Sequence, residues 1–207
     1  MNTKNLLIAI VVALCALLVW LSVFWQPLAP RSITRVQAHG QLPLAPRPPG
    51  GDFTLQGSDG PLALRDFRGK IVLLYFGYTY CPDVCPTSLA LMAQALSALS
   101  ATERARVQGV FVSVDPERDT PARLAEYARF FHPSIAGATG TSAQIATVTQ
   151  QYGASYQPQK SDAAGQYAVD HSSVTYVIDA QGALRASLPH ATTPEQIVAT
   201  VRPLLNQ

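Results

Sequence analysis

Three apolar segments constrain the fold of this chain more than any other feature of its sequence. Ile71–Phe76 is apolar throughout, as expected of a strand that is covered on both faces. Val107–Val114 and Val174–Ile178 have the same character, and helical patterns at roughly Thr87–Leu99 and Pro121–Phe131 lie between them. This alternation predicts an α/β domain in which helices flank a central mixed β-sheet.

Turn and capping signals add elements at both ends of this core. Phe53–Leu55 and Leu62–Leu64 flank a Gly-Ser-Asp-Gly turn, which predicts an N-terminal β-hairpin. Ala183–Leu188 follows the third apolar segment and is predicted to pair with it. Thr141 and Thr193 each precede a Gln by three residues, so each predicts a helix that begins with a capping box.

The run from Leu6 to Trp25 predicts a membrane anchor before this domain. Its 20 residues, all apolar except Ser22, would form a helix about 30 Å long, which matches the core of a bilayer. The run exceeds the roughly 7–15 apolar residues of a signal peptide, and no A-x-A cleavage site follows it. We therefore expect an uncleaved single span, in which Cys15 is inert.

The chain is accordingly divided into three parts. Residues 1–25 are the expected anchor, residues 26–51 a Pro- and Gly-rich linker, and residues 52–207 the folded domain. The charge balance of Lys4 against Arg31 and Arg35 does not decide which side of the membrane the domain faces. Four basic residues precede Asp52, and without them 11 basic side chains oppose 13 acidic ones. That balance argues against a nucleic-acid partner.

Two cysteines lie where the first apolar strand gives way to a helix. They form the segment Cys81-Pro-Asp-Val-Cys85, and sites in α/β folds collect at the carboxyl ends of strands. Cys85 is expected at a helix N-terminus, where free N–H groups should lower the pKa of its thiol. The spacing brings the two sulfur atoms close enough for a disulfide or a shared metal ion.

Three interpretations of this pair stay open on the residues alone. A static structural disulfide is the simplest, although a five-residue loop removes little entropy from the unfolded chain. The pair could instead be a redox dithiol or a metal site. Two thiolates suit Cu(I), and an added imidazole would allow the site to hold Cu(II) as well.

His171 is the candidate imidazole, since it falls in the loop that precedes the third apolar strand. A histidine in a loop is more often a simple surface residue, and other histidines compete for the role. His132 follows a helix and is expected to act as a C-terminal cation, whereas His190 is expected to cap a turn. His39 lies in the linker and is expected to be solvated.

Several neighbours of these residues could support the site. Asp115 could hydrogen-bond near it or serve only as a turn residue, and Asp83 is expected to cap the helix rather than polarise the thiols. Asp170 could orient His171. Tyr78 and Tyr80 could shield a metal or form a surface for a partner. The polar stretch from Gln157 to Gln166, which precedes this histidine, is expected to be an exposed loop.

Three segments together resemble the Sco/SenC family. They are FGYTYCPDVCPTSL, VFVSVDPERDTPARLAEY and YAVDHSSVTYVIDAQG, and the likeness extends over Asp52–Gln207 in order and spacing. The resemblance implies a thioredoxin-like fold with a copper ion, Cu(I) or Cu(II), bound by Cys81, Cys85 and His171. It also implies an anchor in the inner membrane with the domain facing the periplasm.

The resemblance implies a copper metallochaperone that helps to assemble the binuclear copper centre of cytochrome c oxidase. Its partners would be subunit II or another copper-protein client, and a periplasmic copper donor or thiol reductant. The alternative is a thiol–disulfide oxidoreductase that uses Cys81 and Cys85 as a redox disulfide. A typical thioredoxin has only two residues between its cysteines and does not need His171. A copper sensor without a delivery role is a third possibility.

Overall fold

The computed structural model describes residues 3–24 and 48–206, which belong to two compact units, Met1–Pro46 and Arg47–Gln207. The described part of the first unit, residues 3–24, is the helix α1 (Thr3–Phe24), on which Cys15 is exposed. Among the described residues, no helix combines the length and the apolar character needed to cross a membrane. Part of the predicted Leu6–Trp25 anchor and most of the linker, including His39, lie outside the described residues.

The described part of the second unit, residues 48–206, contains a seven-stranded sheet with the order β2-β1-β5-β4-β3-β8-β9 and a separate two-stranded sheet, β6-β7. The strands are β1 (Thr54–Gly57), β2 (Gly60–Ala63), β3 (Ile71–Gly77), β4 (Val107–Ser113), β5 (Ile135–Thr139), β6 (Tyr156–Pro158), β7 (Val169–His171), β8 (Thr175–Ile178) and β9 (Leu184–Leu188). The helices are α2 (Val84–Ala98), α3 (Ala101–Arg104), α4 (Pro121–Phe131), α5 (Ser142–Gln151) and α6 (Pro194–Leu205), with a 3₁₀ helix at Leu64–Phe67.

The central strand β3 is buried at every residue, which is why its sequence is continuously apolar. It runs parallel to β4 and antiparallel to β8, so the large sheet is mixed as predicted. Helix α2 packs against helix α6, and helix α4 packs against strand β5. Cys85 and Leu89, both in α2, are fully buried in the core that these elements enclose.

The capping boxes predicted at Thr141 and Thr193 are confirmed. Both Thr141 and Thr193 accept a hydrogen bond from the backbone of the Gln three residues on, whose side chain accepts one from the backbone of the Thr. The helix α4 begins at Pro121, after Thr120 caps its first turn. These reciprocal bonds satisfy donors that the start of a helix would otherwise leave unpaired.

Other boundaries differ from the sequence-based predictions. The helix α2 begins at Val84 instead of Thr87, which places Cys85 inside its first turn. Strand β5 was not predicted, because its segment Ile-Ala-Gly-Ala-Thr has few of the large residues that signal a strand. The predicted loop Gln157–Gln166 is partly strand, since β6 and β7 pair as a hairpin. His171 therefore ends a strand and does not lie in a loop.

Candidate metal centre

The two cysteines are held at the end of β3 by the turn that leads into α2. The backbone N–H of Cys81 donates to the carbonyl of Tyr78 at 3.3 Å, which closes this turn. Cys81 is 8% exposed and Cys85 is fully buried, so the solvent reaches the pair only from the side of Cys81. Gly77 makes room for the second sulfur, since a Cβ atom there would lie 2.6 Å from the Cys85 Sγ atom.

The hairpin β6–β7 brings His171 to the same place. His171 pairs with Tyr156 across the hairpin, and its Nε2 atom lies 3.2 Å from the Cys85 Sγ atom. Its Nδ1 atom is 3.3 Å from the Ser172 carbonyl oxygen, which can hold the ring in the tautomer that leaves Nε2 free to bind a metal. The donor atoms of Cys81, Cys85 and His171 all lie within 4.8 Å of one another, close enough to share one ion.

Two tyrosine rings enclose the imidazole. Tyr75 and Tyr78 approach His171 edge-on, with ring centroids 6.2 and 5.8 Å from that of the imidazole. Burial, together with the nearby Cys85, raises the pKa of Tyr75, and burial also raises the pKa of Tyr78. Both phenols therefore stay neutral, and their rings shield the imidazole from solvent. Tyr80, in contrast, is 44% exposed at the outer edge of the cysteine turn.

The two thiols titrate as a coupled pair, with the proton on Cys85. A hydrogen bond from Cys85 lowers the pKa of Cys81 to about 4, with further bonds from His171 and backbone N–H groups outweighing burial. The same hydrogen bond and the deeper burial raise the pKa of Cys85. The prediction that the helix N-terminus would lower the pKa of the Cys85 thiol is wrong, because the thiolate charge is more stable on the less buried sulfur.

The acidic residues named from the sequence lie outside the donor cluster. Asp115 is buried and accepts hydrogen bonds from Tyr167 and Arg118. Asp83 occupies the position before α2, but its side chain makes no capping bond to the backbone. Asp170 accepts a hydrogen bond from a glutamine side chain, so it does not orient His171, which faces the other side of β7.

The competing histidines have partners elsewhere. The Nδ1 atom of His190 lies 3.1 Å from the hydroxyl of Ser88, a buried residue of α2. The Nδ1 atom of His132 accepts the backbone N–H of Ser134 at 3.0 Å. Burial lowers the pKa of His132, so the prediction of a helix C-terminal cation is wrong. Neither residue joins the donor cluster formed with His171.

Two residues that support the cysteine turn were not singled out from the sequence. Asp119 is fully buried and accepts hydrogen bonds from the Thr79 backbone at 2.9 Å, the Thr79 hydroxyl, and the Ser113 hydroxyl at 2.6 Å. It thereby ties the turn to the end of β4. Arg118 packs on the tyrosines of the site. Both residues lie in the segment Asp-Pro-Glu-Arg-Asp-Thr, directly before α4, whose N-cap is Thr120.

A mixed sheet, a helix after its central strand and a cysteine pair at that junction define the chain as a thioredoxin-like α/β protein. The SCO1/SenC family model matches residues 43–206. The chain belongs to the SCO1/SenC family.

Individual relatives agree with this assignment. The mitochondrial protein SCO2 homolog of Bos taurus is 42% identical over 154 residues, covering 73% of this chain and 58% of the relative. The chain thus spans less than two thirds of the length of that relative. The solution structure of apo Sco1 from Thermus thermophilus is 40% identical, with a TM-score of 0.70, covering 78% of this chain and 94% of that one. The structure of Bradyrhizobium japonicum ScoI with copper bound is 36% identical, with a TM-score of 0.69, covering 75% and 99%.

Proposed function

We propose that this chain binds one copper ion through Cys81, Cys85 and His171 and delivers it during assembly of cytochrome c oxidase. The observation that carries the proposal is the convergence of the three donor atoms within 4.8 Å of one another. The client would be the binuclear copper centre of subunit II or a similar copper protein. Copper is then the cargo of the protein and not a permanent cofactor.

The donor set matches the chemistry of copper in both oxidation states. Two thiolates satisfy Cu(I), which is soft and accepts low coordination numbers, whereas an imidazole suits Cu(II). Loading must displace the proton that Cys85 holds, because only the thiolate is a metal ligand. The copper-bound structure of the Bradyrhizobium japonicum relative, whose fold this chain shares, supports the same role here.

A second candidate function is thiol–disulfide exchange. It is favoured by the lowered pKa of Cys81, since a thiolate is the attacking species. Cys81 would attack a client disulfide and form a mixed disulfide, which Cys85 would then resolve. The products would be a Cys81–Cys85 disulfide and a reduced client with two thiols, so two electrons pass from this chain to the client. Such a reaction does not require three donor atoms within reach of one ion, and we therefore place it second.

We also propose the cellular arrangement. Residues 1–25 would anchor the chain in the inner membrane as a single span, residues 26–51 would act as a linker, and residues 52–207 would face the periplasm. The apolar sequence from Leu6 to Trp25 and the helical course of Thr3–Phe24 support the anchor. A periplasmic position would place the copper site where copper-protein clients are assembled.

Copper titration of the chain in its reduced and oxidised forms tests the proposed function. The reduced form should take up one copper ion per chain, and the oxidised form none, since a Cys81–Cys85 disulfide has no thiolate to donate. Transfer to a copper-free subunit II domain should then follow. Equal uptake by the oxidised form would place the ligands elsewhere, and a loaded chain that reduces its client without metal transfer would favour thiol–disulfide exchange.

A further inference from the structure

The histidine and the two cysteines belong to different parts of the fold. Cys85 is built into the core of the seven-stranded sheet and its helices, whereas His171 lies at the end of the separate sheet β6-β7. The 3.2 Å approach of the His171 Nε2 atom to the Cys85 sulfur therefore depends on how this hairpin is held against the cysteine turn. The contacts that hold it decide the geometry of the third ligand.

Arg118 makes several of these contacts at once. Its Nη1 atom donates to the backbone carbonyl of Tyr167 at 2.8 Å, and its guanidinium carbon lies 3.6 Å from the centre of the Tyr167 ring. Tyr167 stands two residues before β7. The Tyr167 hydroxyl donates to Asp115 at 2.8 Å, and Asp115 also accepts from the Arg118 Nε atom. The guanidinium is thus held by the Asp115 carboxylate and binds the segment at Tyr167, which leads into β7.

The same guanidinium reaches the cysteine turn. Its carbon lies 5.6 Å from the Tyr78 ring and 4.8 Å from the Tyr80 ring, on the turn that carries Cys81. The Tyr78 hydroxyl in turn accepts the backbone N–H of Val169, at the start of β7, at 3.2 Å. The side chain of Arg118 is only 16% exposed, so water screens these interactions weakly.

We infer that Arg118 is the positioning residue that sets the distance between the imidazole of His171 and the two sulfurs, and thereby the affinity for Cu(II). The inference rests on the proposed function, because it concerns the ligand set of the same site. Arg118 does not touch the metal position. It acts through the hairpin, by joining the end of β4, the cysteine turn and the entry to β7 around one planar cation.

The test compares Arg118→Met with Arg123→Met in the full-length chain. Methionine keeps an unbranched apolar stem but removes the charge and the hydrogen-bond donors. Arg123 is the matched control, since it lies 4.4 Å from the same Tyr80 ring and donates to Thr79 but makes no described contact with the hairpin. Tyr167→Phe, which keeps the ring and loses the hydroxyl bonds to Asp115 and Glu117, gives a milder form of the change.

We expect Arg118→Met to weaken Cu(II) binding by about 10–100-fold, as loss of a residue that orients a ligand typically does. The nitrogen hyperfine pattern in the Cu(II) electron paramagnetic resonance spectrum should change. Cu(I) affinity should change by less than about threefold, because two thiolates suffice for that ion. Arg123→Met should leave the nitrogen pattern intact, and Tyr167→Phe should change it in the same direction as Arg118→Met but less.

A second readout does not require copper. Hydrogen exchange at the β7 backbone amides of the metal-free chain should be faster in Arg118→Met than in Arg123→Met, because the hairpin has lost the Arg118 contacts that hold it against the cysteine turn. Unchanged exchange together with an unchanged Cu(II) spectrum would overturn the inference, as would an equal loss of Cu(I) and Cu(II) affinity. If Arg118→Met fails to fold, Tyr167→Phe decides by the same measurements. A parent chain that binds no copper would refute the proposed function. The exchange experiment would still test whether Arg118 holds the hairpin in place.

Discussion

The Cys85 Sγ atom lies 3.2 Å from the His171 Nε2 atom, although the two residues are 86 positions apart in the chain. A sulfur at the start of a helix and a nitrogen at the end of a hairpin strand meet only in the folded domain. The contact is therefore a product of the tertiary structure, and it distinguishes this site from a simple pair of neighbouring thiols.

Replacing His171 with Ala should weaken Cu(II) binding far more than Cu(I) binding. The reason is coordinative, since the remaining thiolates satisfy Cu(I) but Cu(II) favours an added nitrogen donor. The sulfur-to-copper charge-transfer bands provide the measurement, with a chelator competition for each ion. The Cys81–Cys85 disulfide should still form reversibly, and the free energy of unfolding should fall by about 1–3 kcal/mol, because the imidazole packs against Tyr75 and Tyr78.

His190→Ala is the control for this substitution, because His190 contacts Ser88 and not the sulfurs. It should bind both copper ions as the parent does. Suppose instead that His171→Ala keeps the Cu(II) bands and supports full oxidase assembly in cells, while Cys81→Ser does not. The imidazole would then be a bystander, and thiol–disulfide exchange would be the better account of the function.

Gly77→Ala should displace Cys85 from its position in the site. The added Cβ atom would lie 2.6 Å from the Cys85 sulfur and 2.9 Å from the Phe111 ring, in a packed core. We expect a loss of about 1–3 kcal/mol in the free energy of unfolding, together with weaker copper binding. Gly109→Ala crowds Ile135 at 2.8 Å in the same sheet, and it should destabilise the fold while leaving copper affinity unchanged. Equal copper affinities of the two variants would contradict the prediction.

Asp119→Asn should loosen the cysteine turn from the end of β4. The buried carboxylate accepts from Thr79 and Ser113, and an amide group would face some of these donors with its own N–H. The expected loss is about 1–3 kcal/mol in the free energy of unfolding, measured with urea. Asp59→Asn, at a position that is exposed, should cost nothing measurable. Wild-type stability of the Asp119 variant would show that the turn does not depend on this carboxylate.

Asp179 should make the stability of the domain depend on acidic pH. Burial alone would raise the pKa of Asp179, but hydrogen bonds from Ala183 and Arg185 outweigh it and hold the pKa below its usual range. Its contribution is therefore complete above the unfolded-state pKa of about 3.9, and it is lost as the pH falls through the lower folded value. Urea unfolding across this range should show the loss in the parent and a flatter profile in Asp179→Asn. A parallel profile in the variant would remove Asp179 as the cause.

A reporter fused after Gln207 should behave as an exported protein. The expectation follows from the apolar run Leu6–Trp25 and the redox chemistry of the Cys81–Cys85 pair, since the charges around the run favour neither orientation. The measurement is alkaline phosphatase activity in whole cells that carry the fusion. The control is a fusion at the same position to a reporter that is active only in the cytoplasm. Activity of the cytoplasmic reporter alone would contradict the proposed topology.

Local signals in the sequence were enough for much of the fold. The mixed sheet followed from apolar runs such as Ile71–Phe76, and the helix starts followed from residues such as Thr141 and Thr193, whose caps are local. Strand β5 was missed because small residues pack there against α4, and the hairpin β6–β7 was missed because its polar residues carry little apolar signal. Both depend on neighbours that are distant in the chain.

The site was predicted less evenly. Cys81 and Cys85 were evident from their spacing, whereas His171 could be chosen over other histidines only through the resemblance of its segment to a family. The distribution of the proton between the sulfurs depends on burial and on a mutual hydrogen bond, which the spacing does not contain. The contacts of Arg118 could not be predicted for the same reason, because its partners lie in three separate segments of the chain.

The separation of the two sheets has a kinetic consequence. Local opening of a small hairpin requires far less free energy than unfolding of a whole domain. The nitrogen donor can therefore leave a bound ion while both sulfur donors stay in the intact core. We expect the dwell time of Cu(II) to follow the opening rate of the β6–β7 hairpin and not the rate of global unfolding, so that the ion can be passed on without the carrier losing its fold.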